Sequence, residues 1–116
     1  MGKYKAKLKL VIRSEKTNFY GPGINELLLL IDEKGSTKDA ANAMGLSYSK
    51  ALKIIKRCER ELGFDIVKTQ RGGADGGKSI ITEDGQKMMR AYKDFNDEIN
   101  KDLDEKYHKY FPFLEK

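Results

Sequence analysis

At 116 residues the chain has room for one domain with a modest core. Charged side chains make up 35% of it and hydrophobic ones 39%, the balance of a globular protein with a heavily solvated surface. The longest apolar run, Leu27 to Ile31, falls far short of the roughly 18 residues a membrane span needs.

The net charge of +5 is unevenly spread. Residues 1–20 carry six basic side chains against one acidic, and residues 36–63 carry six against three, whereas residues 83–116 carry seven basic against nine acidic. Such a distribution suits a chain whose first two-thirds meets a polyanion. The basic N-terminus is followed by no apolar stretch that could act as a signal peptide. Cys58, the single cysteine, can form neither an internal disulfide nor a thiolate metal site, which fits a reducing, cytoplasmic location.

In chain order, Tyr4 to Ile12 alternates lysine with apolar residues, the period of a half-exposed strand. Tyr20-Gly21-Pro22-Gly23 reads as a turn. A first helix follows over Ile24–Glu33, with Ile24, Leu27, Leu28 and Ile31 on one face and Gly35 as its stop. Ser36 or Thr37 caps a second, short helix that ends near Met44 and packs through Ala40, Ala41 and Met44. After the turn Gly45-Leu46-Ser47, a third helix capped by Ser47 runs to Leu62 and stops at Gly63. Phe64–Thr69 and Ser79–Ile81 are strands of a hairpin whose tip is the glycine-rich run from Arg71 to Lys78. Thr82 caps a last helix from Glu83 to about Tyr107, with apolar positions Met88, Tyr92, Phe95, Ile99, Leu103 and Tyr107. The predicted fold class is α+β, mainly α: a winged helix-turn-helix over residues 1–82, then a C-terminal helix and tail over 83–116.

A short helix joined by a tight turn to a longer basic helix is the arrangement that places the second helix in a DNA major groove. In the third helix Ala51, Ile55, Cys58 and Leu62 form a narrow apolar stripe. Ser49, Lys50, Lys53, Lys56, Arg57 and Arg60 lie opposite. Ser49, Lys50 and Lys53 are placed for base edges, Tyr48 for a base methyl or a phosphate, and Lys56 and Arg57 for phosphates. Ser36, Thr37 and Ser47 at the two helix starts, with Arg71 and Lys78 on the hairpin, complete the expected DNA-binding set. The apolar side of the last helix, through Met88, Tyr92, Phe95, Ile99 and Leu103, is expected to form a homodimer seam.

Gly21-Pro22-Gly23, Gly35-Ser36, Ala40-Ala41, Met44-Gly45-Leu46-Ser47-Tyr48, Ala51, Gly63, the run Gly72 to Gly77, and Ile81-Thr82 with Gly85 together resemble the N-terminal domain of the ModE family of molybdate-responsive repressors. LysR-type regulators share Ala40-Ala41, Glu59, Leu62-Gly63 and the Thr82 and Gly85 part. The resemblance spans about residues 4–100 and implies a winged helix-turn-helix that dimerises, partly through its long last helix, and binds operator DNA. Molybdate-sensing members carry an oxyanion-binding module after this domain. The sequence ends at Lys116, so molybdate binding is not expected of it. Leu52 stands where ModE-like proteins often have tryptophan, so operator sequence does not carry over.

Other features have plainer readings. Gly72 to Ser79 matches G-x-x-x-x-G-K-S, but that loop needs a helix starting at its lysine, and Ile80-Ile81 are strand formers. Cys58 falls on the core stripe, as a packed thiol would. His108 is the only histidine and sits among exposed lysines and aromatics, so no metal, cofactor or catalytic role is expected. The expected function is that of a sequence-specific transcriptional regulator acting on double-stranded DNA, with no membrane association and no enzymatic activity. The alternative is a winged-helix protein-interaction module that does not bind DNA.

Overall fold

The computed structural model describes residues 3–70 and 77–114. They form four helices and two small antiparallel strand pairs, a mainly helical α+β arrangement. The first pair joins β1 (Ile12–Arg13) to β2 (Asn18–Tyr20). Ser14 closes the turn between them, its Oγ accepting from the N–H groups of Lys16 and Thr17. The strand expected over Tyr4–Ile12 is therefore much shorter. Residues 3–11 meet no strand partner among the described residues, and alternation alone does not make a strand without a neighbour to pair with.

Helix α1 (Pro22–Lys34) starts two residues earlier than its apolar period suggests, because Pro22 occupies a first-turn position where no N–H is needed. It buries Ile24, Leu27, Leu28 and Ile31 and ends at Gly35, in a left-handed conformation with φ 69°. Ser36, not Thr37, caps α2 (Thr37–Ala43): its Oγ accepts from Asp39 N at 3.1 Å. Ala40 and Ala41 are fully buried, and their small side chains let α2 sit close against its neighbours. The turn bends through Gly45 (φ 71°), and Leu46 N donates to Ala41 O at 2.9 Å. Ser47 Oγ accepts from Lys50 N at 3.1 Å and opens α3 (Tyr48–Leu62), which Gly63 closes.

The second strand pair is β3 (Val67–Gln70) with β4 (Lys78–Ile81), in the register Val67 to Ile81 through Gln70 to Lys78. No helix starts at Lys78, which excludes the nucleotide-loop reading of Gly72 to Ser79 on the geometry that motif requires. Thr82 Oγ1 accepts from Gly85 N and donates to Asp65 O, capping α4 (Glu83–Tyr110) and tying it to the chain entering β3. Gly85 lies so close to that segment that a Cβ built on it would stand 2.5 Å from Ile66 O. A 3-10 turn over Pro112–Leu114 follows α4.

The core gathers α1, α2, the inner face of α3, Ile66, Ile81 and the first turns of α4. Tyr20 and Tyr92 meet edge to face at its centre, ring centroids 5.1 Å apart. Tyr20 Oη donates to Asn25 Oδ1 at 2.7 Å and Tyr92 Oη to Leu10 O at 2.9 Å. Burial pushes both phenols above their ordinary pKa. Beyond Tyr92, α4 leaves the body, and the molecule measures 60 × 29 × 22 Å. Among the described residues no helix is long and apolar enough to cross a membrane.

Candidate nucleic-acid interface

Helix α3 divides cleanly. Ala51, Ile55 and Cys58 are buried, and Leu62 packs against them. Ser49, Lys50, Lys53, Lys56, Arg57 and Arg60 are all exposed. Burial raises the Cys58 thiol to about 12, helped by the negative charge of Glu59, so this thiol stays protonated in the fold. The 4, 3, 4 spacing of Ser49, Lys53, Lys56 and Arg60 sets four polar side chains along one line of the helix. Tyr48, Ser49, Lys53, Lys56 and Arg57 border one shallow depression on that face, floored by Leu52.

A second groove runs from Tyr48 to the hairpin. Ser36, Lys38, Thr69 and Lys78 line it, and so do the acidic Asp32, Glu33 and Asp39. Tyr48 borders both depressions, so the outer face of α3, the start of α2 and the base of the hairpin form one continuous surface. Ser47 and Lys50 stand exposed at the α3 N-terminus beside it, their backbone and side chain already joined in the cap. Arg71 lies outside the described residues.

Thr37 needs correction. It is 2% exposed, and its Oγ1 donates to Ser79 Oγ at 2.7 Å while its N–H donates to the same oxygen at 3.2 Å. With Gly35 O accepting from Ser79 N at 2.9 Å, this pair fastens β4 to the α1–α2 junction. A hydroxyl buried in that way is structural and does not reach a partner molecule. Tyr92 needs the same correction as a seam residue: its ring lies in the chain's own core and its hydroxyl is bonded to Leu10. Met88 is half-buried against that core, and the neighbouring Met89 is the more deeply buried. Phe95 is 48% exposed, and Ile99 and Leu103 are partly so.

Sequence reasoning gave Glu59 no physical role. It is only 7% exposed, and its Oε2 accepts from Ile66 N at 2.8 Å and Val67 N at 3.2 Å, while Oε1 pairs with Lys56 Nζ at 3.2 Å. One carboxylate thus fixes the start of β3 to α3 and holds a lysine of the exposed face. Its signal in sequence is faint: an acid one residue beyond the apolar stripe. Lys38, exposed on α2, lines the groove with Ser36 and Lys78 and was not in the expected set. Among the described residues no group of three or more His, Cys, Asp or Glu side chains is placed to hold a metal ion.

No protein-family model matches the chain. Among curated proteins, it is 35% identical over 66 residues to the molybdenum-pterin-binding protein MopB of Rhodobacter capsulatus, a match covering 57% of this chain and 24% of MopB. It is 28% identical over 87 residues to the DNA-binding transcriptional dual regulator ModE of Escherichia coli K12, covering 75% of this chain and 33% of that protein. The same identity and coverage hold for the transcriptional regulator ModE of Shigella flexneri. The chain spans about a quarter to a third of the length of these relatives. Over the matched stretch the chain is similar to these ModE regulators.

Proposed function

We propose that the protein is a sequence-specific, DNA-binding transcriptional regulator of winged helix-turn-helix type. The observation that carries this reading is the outer face of α3, mainly polar and cationic around Leu52, on a helix whose start, stop and inner face are fixed by Ser47, Gly63 and the core. The names of the ModE relatives, one a DNA-binding transcriptional dual regulator and the other a transcriptional regulator, support it. On this reading α2, the turn and α3 are the helix-turn-helix and the β3–β4 hairpin is the wing. Ser49, Lys50 and Lys53 meet base edges. Tyr48, Lys56, Arg57 and Lys78 meet the backbone, and Ser36 and Ser47 lie beside it at the helix starts. The protein acts by binding rather than by chemistry, in the cytoplasm, with DNA.

The exposed Phe95 and the partly exposed Ile99 and Leu103 are the seam for a second copy. Two copies would present two recognition helices to half-sites about one turn of DNA apart. Residues 1–82 then read DNA, and residues 83–116 pair the copies.

Selection of bound duplexes from a random pool, followed by gel shifts at moderate salt, tests this reading. Lys53→Ala is expected to weaken the selected complex about tenfold, in line with the 1–3 kcal/mol of a good base contact. Lys87→Ala, an exposed lysine on α4, is expected to change it less than about twofold. Equal effects would refute the assignment of faces. No duplex binding even at low salt would favour a protein-interaction module instead.

A further inference from the structure

Ahead of β1, every residue from Lys3 to Lys9 is exposed, and lysine occupies each odd position. Leu8 (61%) and Tyr4 (56%), between the lysines, are uncovered as well. None of Lys3, Lys5, Lys7 and Lys9 forms an ion pair with a described residue. The segment is anchored at its far end, where Tyr92 Oη on α4 donates to Leu10 O. Its last lysine is not remote from the α3 surface: Lys9 and Arg57 line the same groove, together with Val11, Phe19 and Ile54. Arg57 also borders the depression that holds Tyr48, Ser49 and Lys53. Lys9, the last of the row, therefore lines a groove that reaches Arg57 on the cationic face of α3.

We propose that residues 3–9 are an extended basic arm that lies on the phosphate backbone of DNA flanking the segment read by α3. The proposal rests on the DNA-binding reading above and extends its footprint. An extended chain of seven residues reaches about 23 Å. Alternate lysines stand about 6.6 Å apart, close to twice the axial rise of about 3.4 Å per phosphate on one strand. A strand partner is the poorer occupant. Pairing with the same segment of a second copy would set lysines directly across from lysines, and like charges opposite one another destabilise a ladder. A phosphate backbone neutralises all four and needs no register with the side chains between them. The arm contributes affinity that is independent of base sequence.

The test compares the parent with the variant carrying Lys3→Gln, Lys5→Gln, Lys7→Gln and Lys9→Gln on one duplex selected for the parent, extended by ten or so base pairs on each side. Kd is measured across about 50–200 mM salt, and hydroxyl-radical protection is mapped. At about 0.9 units per phosphate contact, the slope of log K against log salt should shallow by about 2–4. Affinity should fall about 10- to 100-fold, protection should retreat on the flanks, and preference for the selected sequence over a scrambled one should stay the same. The urea midpoint of the variant should match the parent, since all four lysines are exposed and none is ion-paired with a described residue. A parent that binds with a slope and footprint shared by the variant overturns the arm alone. A parent that binds no duplex overturns both the arm and the reading of α3.

Discussion

Removing the Glu59 carboxylate should loosen the hairpin from the helix that is proposed to read DNA. Its Oε2 serves two backbone donors, Ile66 N at 2.8 Å and Val67 N at 3.2 Å. Ile66 is fully buried, so in Glu59→Ala its N–H loses the carboxylate with no water to replace it. A stranded buried donor costs about 1–3 kcal/mol. Val67 is only partly buried, and water recovers much of its bond. The pair with the exposed Lys56 adds less than about 1 kcal/mol. The expected loss is therefore about 2–4 kcal/mol, a large share of the roughly 5–15 kcal/mol that holds a domain together. Glu59→Gln keeps one carbonyl oxygen of the same reach and should recover about half or more of that loss. Urea unfolding, with the m-value checked for two-state behaviour, measures both variants. A Glu59→Ala protein within about 0.5 kcal/mol of the parent would refute the claim that this carboxylate carries the α3–β3 connection.

Gly85→Ala should destabilise by about 1–3 kcal/mol or more, because the added Cβ meets the backbone oxygen of Ile66 at 2.5 Å and Ile81 Cγ2 at 2.7 Å. Gly23→Ala, with nothing within 4 Å, is the control and should be neutral or slightly stabilising in a thermal melt. A Gly85→Ala protein as stable as this control would count against the close packing of α4 on Ile66. For Cys58, ordinarily near 9 and held at about 12, the unfolded thiol loses its proton above about pH 9 while the folded one keeps it. Stability therefore falls as pH rises through that window, by about 1 kcal/mol from this group between pH 8 and pH 10. The loss should be smaller by that amount in Cys58→Ala, as read from urea midpoints at the two values. Identical pH dependence would exclude a deeply buried thiol. Phe95→Glu should leave the circular dichroism unchanged and shift sedimentation from dimer to monomer at tens of micromolar. A parent that sediments as a monomer at those concentrations would sink the α4 seam.

The helix limits were legible because they rest on local chemistry. Ser36, Ser47 and Thr82 each accept an N–H three residues on, and Gly35 and Gly63 each adopt a positive φ. Those interactions sit within a turn of the residue that signals them. What was illegible depends on contacts far along the chain. Thr37 looks like a free hydroxyl at a helix start until Ser79, 42 residues later, is packed against it. Tyr92 fits a seam stripe by spacing, yet only the fold brings it to Tyr20 and Leu10. Met88 and Met89 differ by one step of 100°, and the stripe through Tyr92 admits either. The structure buries Met89 because the run Gly85, Met89, Tyr92 faces the body. The lysine alternation of Tyr4 to Ile12 describes which side chains share a face, but pairing needs a neighbour that sequence periodicity does not supply.

The polar contacts around α3 have a further consequence for the proposed interface. The hairpin is joined to the helices at two places that are largely independent of the apolar core. At one, Ser79 bonds to Gly35 and Thr37 at the start of α2. At the other, Glu59 bonds to Ile66 and Val67 at the start of β3. Apolar burial is non-directional and would tolerate a hairpin that slid or rotated on the helices by an ångström or two. Hydrogen bonds of 2.7–3.2 Å to a buried hydroxyl and a buried carboxylate do not tolerate that shift, since each broken bond leaves an unpaired group in the interior. Lys78 on β4 and Lys53 on α3 thus keep a fixed separation. A surface meant for a rigid, periodic partner such as a DNA duplex requires such a constraint, and a flexible peptide partner does not. Loss of Ser79, as in Ser79→Ala, should therefore weaken DNA binding more than its effect on folding stability accounts for. Measured at a temperature where the variant remains fully folded, unchanged affinity would show that the hairpin's placement is immaterial to binding.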